Sequence, residues 1–134
     1  MYKLVPSICS YCGTGCGVLF EVLDNRILGT LPLKTHPVNE GRLCLKGWSL
    51  HEYVESDMRL TGPYLRINGR LHQVTWERAI GFAARRLTEI VDRYGPDSVG
   101  VLASAKISNE ENYLLQKFAR AVVGTNNVDH CARL

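Results

Sequence analysis

Three cysteines spaced C-x2-C-x3-C lie close together in CSYCGTGCGV, residues 9–18. A fourth cysteine lies in GRLCLKGW, residues 41–48, after a long intervening segment. Three thiols on one short loop can surround one face of a cubic iron-sulfur cluster, and a distant fourth thiol can close its far corner. We therefore predict one [4Fe-4S] cluster, ligated by Cys9, Cys12, Cys16 and Cys44.

The glycines of this loop fit the same interpretation. Gly13, Gly15 and Gly17 alternate with larger residues, and glycine permits positive φ and a close approach of the backbone. Backbone N–H groups can then point at sulfur and stabilise the negative charge of a cluster. We expect larger side chains at these positions to crowd the site.

A zinc site and disulfide bonds are the two alternatives for these cysteines. Four-cysteine zinc sites usually combine two short C-x2-C segments, whereas the second segment here carries one cysteine. The total of five cysteines is odd, and three of them are crowded on one loop, which disfavours disulfides. The few residues before Cys9 leave no room for a secretory leader, so we expect a reducing cytoplasm.

Composition sets limits on the class of protein. The 134 residues are 46% hydrophobic and 22% charged, which is typical of a globular domain and not of a disordered segment. The net charge of +3 is small and the basic residues are scattered, so no nucleic-acid partner is expected. No apolar run approaches the ~20 residues that span a bilayer, so no direct membrane insertion is expected.

The first 62 residues are predicted to form a small α+β cluster domain with short antiparallel strands. GVLFEVLDNRILGTL, residues 17–31, has alternating apolar residues on both sides of the turn signal Asp24-Asn25. KGWSLHEYV, residues 46–54, is predicted to form a short helix. Because a metal centre would close long, weakly structured loops, we expect this region to depend on the cluster to fold.

Residues 63–134 have a different pattern, which begins with a hairpin and a long helix. Asn68-Gly69 separates two apolar runs, and this dipeptide is a strong hairpin signal. Thr75 is a good N-cap for a helix through about Tyr94. Gly95 and Pro96 are typical of a helix end. The apolar stripe expected on this helix consists of Ile80, Phe82, Ala83, Leu87, Ile90 and Val91.

The end of the chain continues with alternating strands and helices. DSVGVLAS, residues 97–104, reads as a strand of the buried type. Ser108 and Glu111 have the spacing of a capping box for a helix that Gly124 closes, and NNVDH, residues 126–130, begins another strand. This order predicts the beginning of an α/β domain with a parallel sheet, incomplete within residues 63–134.

Two further residues have both a structural and a functional interpretation. Lys46 lies two residues after Cys44. Its structural interpretation is a solvated surface residue, as most lysines are. Beside an anionic cluster, however, its charge would raise the reduction potential and could bridge the cluster to a second redox centre. Cys131 is interpreted as a small buried hydrophobic residue. The four histidines show no metal-ligand spacing and are expected in turns or on the surface.

These residues occur together in a known family. CSYCGTGCGV, HPVNEGRLCLKGW and NEENYLLQKFARAVVGTNNVDHCARL resemble the amino-terminal part of the catalytic subunit of formate dehydrogenases in the molybdopterin oxidoreductase superfamily. The resemblance runs from residue 9 to residue 134. The cysteine motif is common to the superfamily, whereas the last stretch is more similar to formate dehydrogenases than to nitrate or dimethyl sulfoxide reductases.

The resemblance implies a function for the cluster region. Cys9, Cys12, Cys16 and Cys44 match the family's cluster ligands. Lys46 matches a lysine that lies between the cluster and the pterin of a molybdenum or tungsten bis(molybdopterin guanine dinucleotide) cofactor. In the family, formate is oxidised to carbon dioxide at the metal, and electrons leave one at a time through the cluster to a partner subunit. The expected partners are therefore the remainder of the catalytic subunit and an electron-transfer subunit.

The resemblance also bears on NNVDHCARL, residues 126–134. In these enzymes CAR and one further residue are followed by a cysteine or selenocysteine that binds the metal, and then by a catalytic histidine. The metal ligand is therefore expected at the position after Leu134, and no catalytic residue is expected within the chain. We interpret the sequence as an amino-terminal fragment whose reading frame ended at an unrecoded UGA codon. A deliberate fragment, or a sequence split at the modified residue, is the alternative.

Two classes of function remain open at this point. The first is the cluster-bearing part of a formate dehydrogenase, which alone is not expected to oxidise formate because the pterin cofactor binds only the full-length enzyme. The second is a free-standing [4Fe-4S] electron-transfer module, for which the cysteine motif suffices. Another molybdopterin oxidoreductase is a further alternative.

Overall fold

The computed structural model describes residues 1–131, which form two compact units. The first unit contains residues 1–59 and 103–114 together with the described residues from 130 onward. The second unit contains residues 60–102 and 115–129. Within the described part of the chain, no helix is long and apolar enough to cross a membrane.

A three-stranded antiparallel sheet forms the base of the first unit. Its strands are β1 (Tyr2–Ile8), β2 (Gly17–Leu23) and β3 (Arg26–Pro32), in the order β1-β2-β3. Asp24 and Asn25 adopt positive φ between β2 and β3, which is the geometry of a tight two-residue hairpin turn. The predicted hairpin is confirmed, whereas β1 was not predicted.

The core of the first unit lies where β2 meets two short helices. These are α1 (Leu45–Trp48) and α2 (Leu50–Val54), which interrupt at Ser49 the single helix predicted there. Val18 on β2 and Leu50 at the start of α2 are the largest apolar side chains that are fully buried. Cys9 belongs to the same core, and partly buried Tyr11, Cys16, Phe20 and Leu43 pack against it.

The end of α2 is attached to β3 through Glu55. The backbone N–H of Ile27 donates a hydrogen bond of 2.9 Å to Glu55 Oε1, and Arg26 Nε lies 3.5 Å from Oε2. The hydrogen bond from Ile27, followed by the neighbouring guanidinium, lowers the pKa of Glu55. The ionised carboxylate therefore stabilises this attachment.

The second unit begins with the predicted hairpin and helix. β4 (Tyr64–Ile67) and β5 (Arg70–Gln73) pair antiparallel around Asn68 and Gly69, whose φ angles are +49° and +81°. Helix α3 (Trp76–Tyr94) has Thr75 as its N-cap, and Thr75 Oγ1 accepts a hydrogen bond of 3.4 Å from the N–H of Arg78. Gly95 follows the helix with φ +82°. Both predicted elements are confirmed.

The prediction of a buried-type strand after α3 is wrong, and the apolar stripe of α3 is at most half-buried. No residue of α3 is buried, and Ile80 and Phe82 are exposed although they belong to the expected apolar stripe. After a 3-10 turn at Pro96–Ser98, strand β6 (Val101–Ser104) begins later than predicted, and Leu102 is 86% exposed. A parallel strand is buried only when helices cover both faces of its sheet, and among residues 1–131 this sheet has two strands.

The helix–strand alternation at the end of the chain is confirmed. Helix α4 (Asn109–Phe118) continues as a π-helical turn at Ala119–Val123, and strand β7 (Val128–Cys131) pairs with β6. Val101 N–H donates to Asn127 O at 2.8 Å, whereas Ser104 contacts Cys131 at the other end. The two strands therefore run in the same direction, as predicted for an α/β unit.

Both ends of α4 have the predicted capping residues. Glu111 N–H donates to Ser108 Oγ at 3.2 Å, while Ser108 N–H donates to Glu111 Oε2 at 2.7 Å. This reciprocal pair is the predicted capping box. Gly124, with φ +86°, closes the π-helical turn as predicted.

Candidate metal centre

The four predicted ligands line one cavity of about 230 Å³ inside the first unit. Two chain segments bring these thiols together, the loop between β1 and β2 and the residue that precedes α1. Lys46 lines the same cavity. The other lining residues are Tyr11, Leu43, Gly47, Ala105, Lys106 and Cys131.

The cysteine loop is held at the end of the β1–β2 pair. Cys9 N–H donates a 2.8 Å hydrogen bond to Cys16 O, so the two ends of the loop meet directly beyond the last pair of the sheet, Ile8 and Gly17. Gly15 has φ +67°, which reverses the chain just before Cys16. The sheet therefore presents the three nearby thiols from one rigid end.

The three loop glycines are needed for different reasons. Positive φ occurs only at Gly15 among them. A Cβ atom on Gly17 would lie 2.4 Å from Cγ of His36, and one on Gly13 would lie 2.8 Å from Oδ1 of Asn109. Asn109 Nδ2 also donates a 2.7 Å hydrogen bond to Gly13 O. The prediction that larger residues would crowd the loop is supported, but the crowding comes from protein neighbours.

Asn39 joins the loop to the segment that carries the fourth cysteine. Its side chain is buried, and Oδ1 accepts a 2.8 Å hydrogen bond from the N–H of Gly17. Nδ2 donates to Gly17 O at 3.1 Å and to Arg42 O at 2.9 Å. The Asn39 side chain thus fixes the backbone beside Cys16 and the backbone two residues before Cys44. The sequence did not predict this role.

Cys44 enters the cavity from the N-cap position of α1 and is exposed. Trp48 N–H donates a 3.1 Å hydrogen bond to Cys44 O, which starts the helix. Gly47 is buried against Leu43, and a Cβ there would lie 3.1 Å from its Cδ2. The short helix therefore turns tightly enough to place Cys44 and Lys46 on the same cavity.

The thiols differ in their electrostatic surroundings. Hydrogen bonds with the Thr14 side chain and backbone, together with the Lys46 ammonium, lower the pKa of Cys12. Burial raises the pKa of Cys16, and the neighbouring thiols of Cys9, Cys12 and Cys44 raise it further. The other three thiols therefore lie close enough to Cys16 to disfavour its ionisation.

The interpretation of Cys131 as a buried residue is wrong. Its side chain is exposed and lines the same cavity, because β7 ends there beside Ser104, whose Oγ lies 3.6 Å from Cys131 Sγ. A backbone hydrogen bond from Ala105 and the Ser104 hydroxyl lower the pKa of Cys131. Lys106 also lines the cavity and was not singled out from the sequence. The position of Lys106 just after a predicted parallel strand could have indicated a binding residue, since ligands bind at the carboxyl edge of such sheets.

The cavity between the four thiols has room for more than a single ion. Within residues 1–131, no three histidine, cysteine, aspartate or glutamate side chains are grouped closely enough to hold one metal ion. The four thiols surround a cavity of about 230 Å³, whereas a cavity of ~10–15 Å³ already holds a water molecule. Four soft thiolate donors around a larger volume fit an iron-sulfur cluster.

Two protein families match the chain in succession. Residues 2–56 match the family described as molybdopterin oxidoreductase Fe4S4 domain, and residues 59–134 match the family described as molybdopterin oxidoreductase. The chain belongs to the molybdopterin oxidoreductases. These family descriptions agree with the two cofactor classes expected from the sequence, a [4Fe-4S] cluster and a molybdopterin.

Similar molybdopterin oxidoreductases include formate dehydrogenases. The chain is 50% identical over 130 residues to F420-dependent formate dehydrogenase 1 subunit alpha of Methanococcus maripaludis. The aligned region covers 97% of this chain and 19% of that protein. It is 44% identical over 133 residues to F420-dependent formate dehydrogenase subunit alpha of Methanocaldococcus jannaschii, covering 99% and 19%. The chain thus spans about a fifth of the length of these relatives, and the recognised resemblance is confirmed.

A solved structure shows the same fold. Acetylene hydratase from Pelobacter acetylenicus superimposes with a TM-score of 0.73 at 24% identity, covering 93% of this chain and 18% of that one. The predicted fold class, a cluster domain followed by the start of an α/β molybdopterin domain, is confirmed. The interpretation of the chain end concerns CARL, residues 131–134, of which residues 132–134 lie outside the described residues.

Proposed function

We propose that this molybdopterin oxidoreductase chain holds one [4Fe-4S] cluster on Cys9, Cys12, Cys16 and Cys44. The observation that carries the proposal is the shared cavity, since two separate segments bring four thiols around one space within a single unit. Asn39 and the β1–β2 pair hold these segments in place. When bound, the cluster supplies one-electron transfer.

We further propose that Lys46 is the cation of the electron path. Its position on the cavity wall, beside the proposed ligand Cys44, supports a role in stabilising the extra negative charge of the reduced state. The resemblance extends this role to the pterin, with Lys46 between the two redox groups. Residues 1–62 would then act as the cluster domain, and residues 63–134 as the start of the domain that binds molybdopterin.

The wider proposal is that the chain is the amino-terminal part of a formate dehydrogenase catalytic subunit in the cytoplasm. The identity of 50% and 44% to two formate dehydrogenase alpha subunits supports it. The match of residues 59–134 to the molybdopterin oxidoreductase family supports an enzyme part over a free-standing electron carrier. The partners would be the remainder of the catalytic subunit and a separate electron-transfer subunit. Formate would be the substrate and carbon dioxide the product of the assembled enzyme.

Iron analysis of the anaerobically purified chain tests the cluster. We expect about four irons and four acid-labile sulfides per chain and a broad absorption band near 400 nm, because a [4Fe-4S] cluster has this content. Cys44→Ser should lower the iron content, since it removes the ligand that comes from the second segment. Cys131→Ser is the matched control, because this thiol lines the same cavity but is not a proposed ligand.

Two results would contradict the assignment of the ligands. One zinc per chain without iron would show a different metal site. An equal loss of iron in Cys131→Ser and Cys44→Ser would show that the ligand set is wrong.

The metal and its protein ligand require a separate test. We propose molybdenum or tungsten as the metal and selenocysteine as the ligand at the position after Leu134, because the resemblance places a cysteine or selenocysteine there. Sequencing the gene past the Leu134 codon tests the ligand: an in-frame UGA followed by a histidine codon is expected, and a cysteine codon would exclude selenium. Metal analysis of the assembled enzyme, together with formate-dependent dye reduction, tests the metal and the substrate.

A further inference from the structure

Tyr11 forms part of the cavity wall beneath Lys46. It lies between Cys9 and Cys12 in the loop, and Lys46 Nζ is 4.9 Å from the centroid of its ring. A cation within about 6 Å of an aromatic face is attracted by the ring quadrupole. Tyr11 also packs against the core cluster of Cys9, Val18 and Leu50.

Lys46 needs such a contact to stay at the cavity. A lysine side chain has many rotamers, and their entropy favours a mobile ammonium in water. Within residues 1–131, no carboxylate forms an ion pair with Lys46, and the first turn of α1 has no acidic residue. The face of Tyr11 is therefore a direct contact that the described structure provides for this charge.

We infer that Tyr11 is a positioning residue, which holds the Lys46 ammonium at the cavity and thereby raises the reduction potential of the cluster. The inference rests on the proposed function, because it requires a cluster on the four thiols. On reduction, one electron from a chemical reductant such as dithionite converts one ferric centre to ferrous, and no bond to the protein changes. The bound state gains one negative charge, which a nearby cation stabilises.

An anaerobic redox titration of the iron-loaded chain tests this role. The reduced cluster is followed by electron paramagnetic resonance in the wild type, Tyr11→Phe, Tyr11→Leu, Lys46→Met and the double variant Tyr11→Leu/Lys46→Met. Tyr11→Phe keeps the aromatic face, and its potential should be unchanged. Tyr11→Leu should lower the equilibrium constant for reduction about threefold, or ~28 mV for a one-electron couple.

The double variant separates the ammonium from other effects of the ring. If Tyr11 acts through Lys46, Tyr11→Leu causes no further shift once Lys46 has been replaced by methionine. An equal shift in both backgrounds would mean that the ring acts by excluding water, and would overturn the inference. An unchanged potential in Tyr11→Leu at full iron content would also overturn it.

Iron content distinguishes this failure from a failure of the proposed function. A wild-type chain without a four-iron cluster contradicts the proposed function and the inference together. A loaded wild type with no dependence on Tyr11 contradicts only the inference. If Tyr11→Leu fails to fold or to hold iron, Tyr11→Met replaces the ring with a flexible apolar chain and gives the same comparison.

Discussion

Replacing Asn39 with alanine should lower the free energy of unfolding of the first unit by more than the small size of this side chain indicates. The change removes three hydrogen bonds, two with the backbone of Gly17 and one with Arg42 O. Gly17 O keeps a 3.0 Å hydrogen bond from the N–H of Leu33, whereas Gly17 N–H loses its side-chain acceptor in a buried location. The two hydrogen bonds from Nδ2 contribute about 1 kcal/mol each, and the unsatisfied buried N–H of Gly17 costs ~1–3 kcal/mol, so we expect a loss of ~3–5 kcal/mol.

Urea unfolding of the anaerobically purified chain measures this loss. Trp48 lies in the first unit and Trp76 in the second, so Trp76→Phe leaves a fluorescent reporter for the first unit alone. In this background the free energy of unfolding is compared with and without Asn39→Ala. Val38→Ala is the matched control, because Val38 is adjacent and 54% exposed, and we expect a change below about 0.5 kcal/mol.

The same variant should also hold less iron, because Asn39 joins the segments that carry Cys16 and Cys44. A loss of stability no larger than that of Val38→Ala would contradict the proposed contribution of the Asn39 hydrogen bonds. It would show that water replaces the amide in its contacts with the backbone.

Three further changes test the packing and charge of the first unit. Leu50 is 2% exposed, and Leu50→Ala should lower the free energy of urea unfolding by about 2–5 kcal/mol. Leu45 is 82% exposed, and Leu45→Ala should be nearly neutral. Equal effects of the two substitutions would contradict the proposed core. Gly17→Ala should cost ~1–3 kcal/mol because its Cβ would meet Cγ of His36, and adding His36→Gly should recover part of the loss; no loss would show that the loop moves freely. The lowered pKa of Glu55 contributes stability that is fully present above the ordinary glutamate value of about 4.3 and is lost as pH falls through the folded value. The difference in urea midpoint between the wild type and Glu55→Gln should therefore be constant above about pH 4.3 and shrink as the pH falls below that value. A difference that stays constant below it as well would argue against this carboxylate.

The elements predicted correctly depend on signals within a few residues. Asn68-Gly69 adopts the positive φ angles of a tight hairpin, and Thr75 caps α3 through its own side chain. Ser108 and Glu111 form their capping box within one helical turn. Because each interaction is local, the residue types alone determine it. The same holds for the C-x2-C-x3-C spacing, which places three thiols on one loop.

The elements that were missed depend on partners distant in sequence. β1 is defined by pairing with β2 across the cysteine loop, and its own residues carry no turn signal. Apolar periodicity likewise indicates which face of α3 and β6 is able to pack, but not whether a partner covers it.

The chemistry proposed for the site could be inferred from the sequence, since the spacing of four cysteines and a neighbouring lysine predicts a cluster and a cation beside it. Only the tertiary structure decided what surrounds them. It brings Cys131 and Lys106 to the cavity from the carboxyl ends of β7 and β6, places Tyr11 under the Lys46 ammonium, and uses Asn39 to join two segments. The physical reason is that spacing determines which ligands share a loop, whereas cavity walls are built from side chains that meet only after the chain has folded.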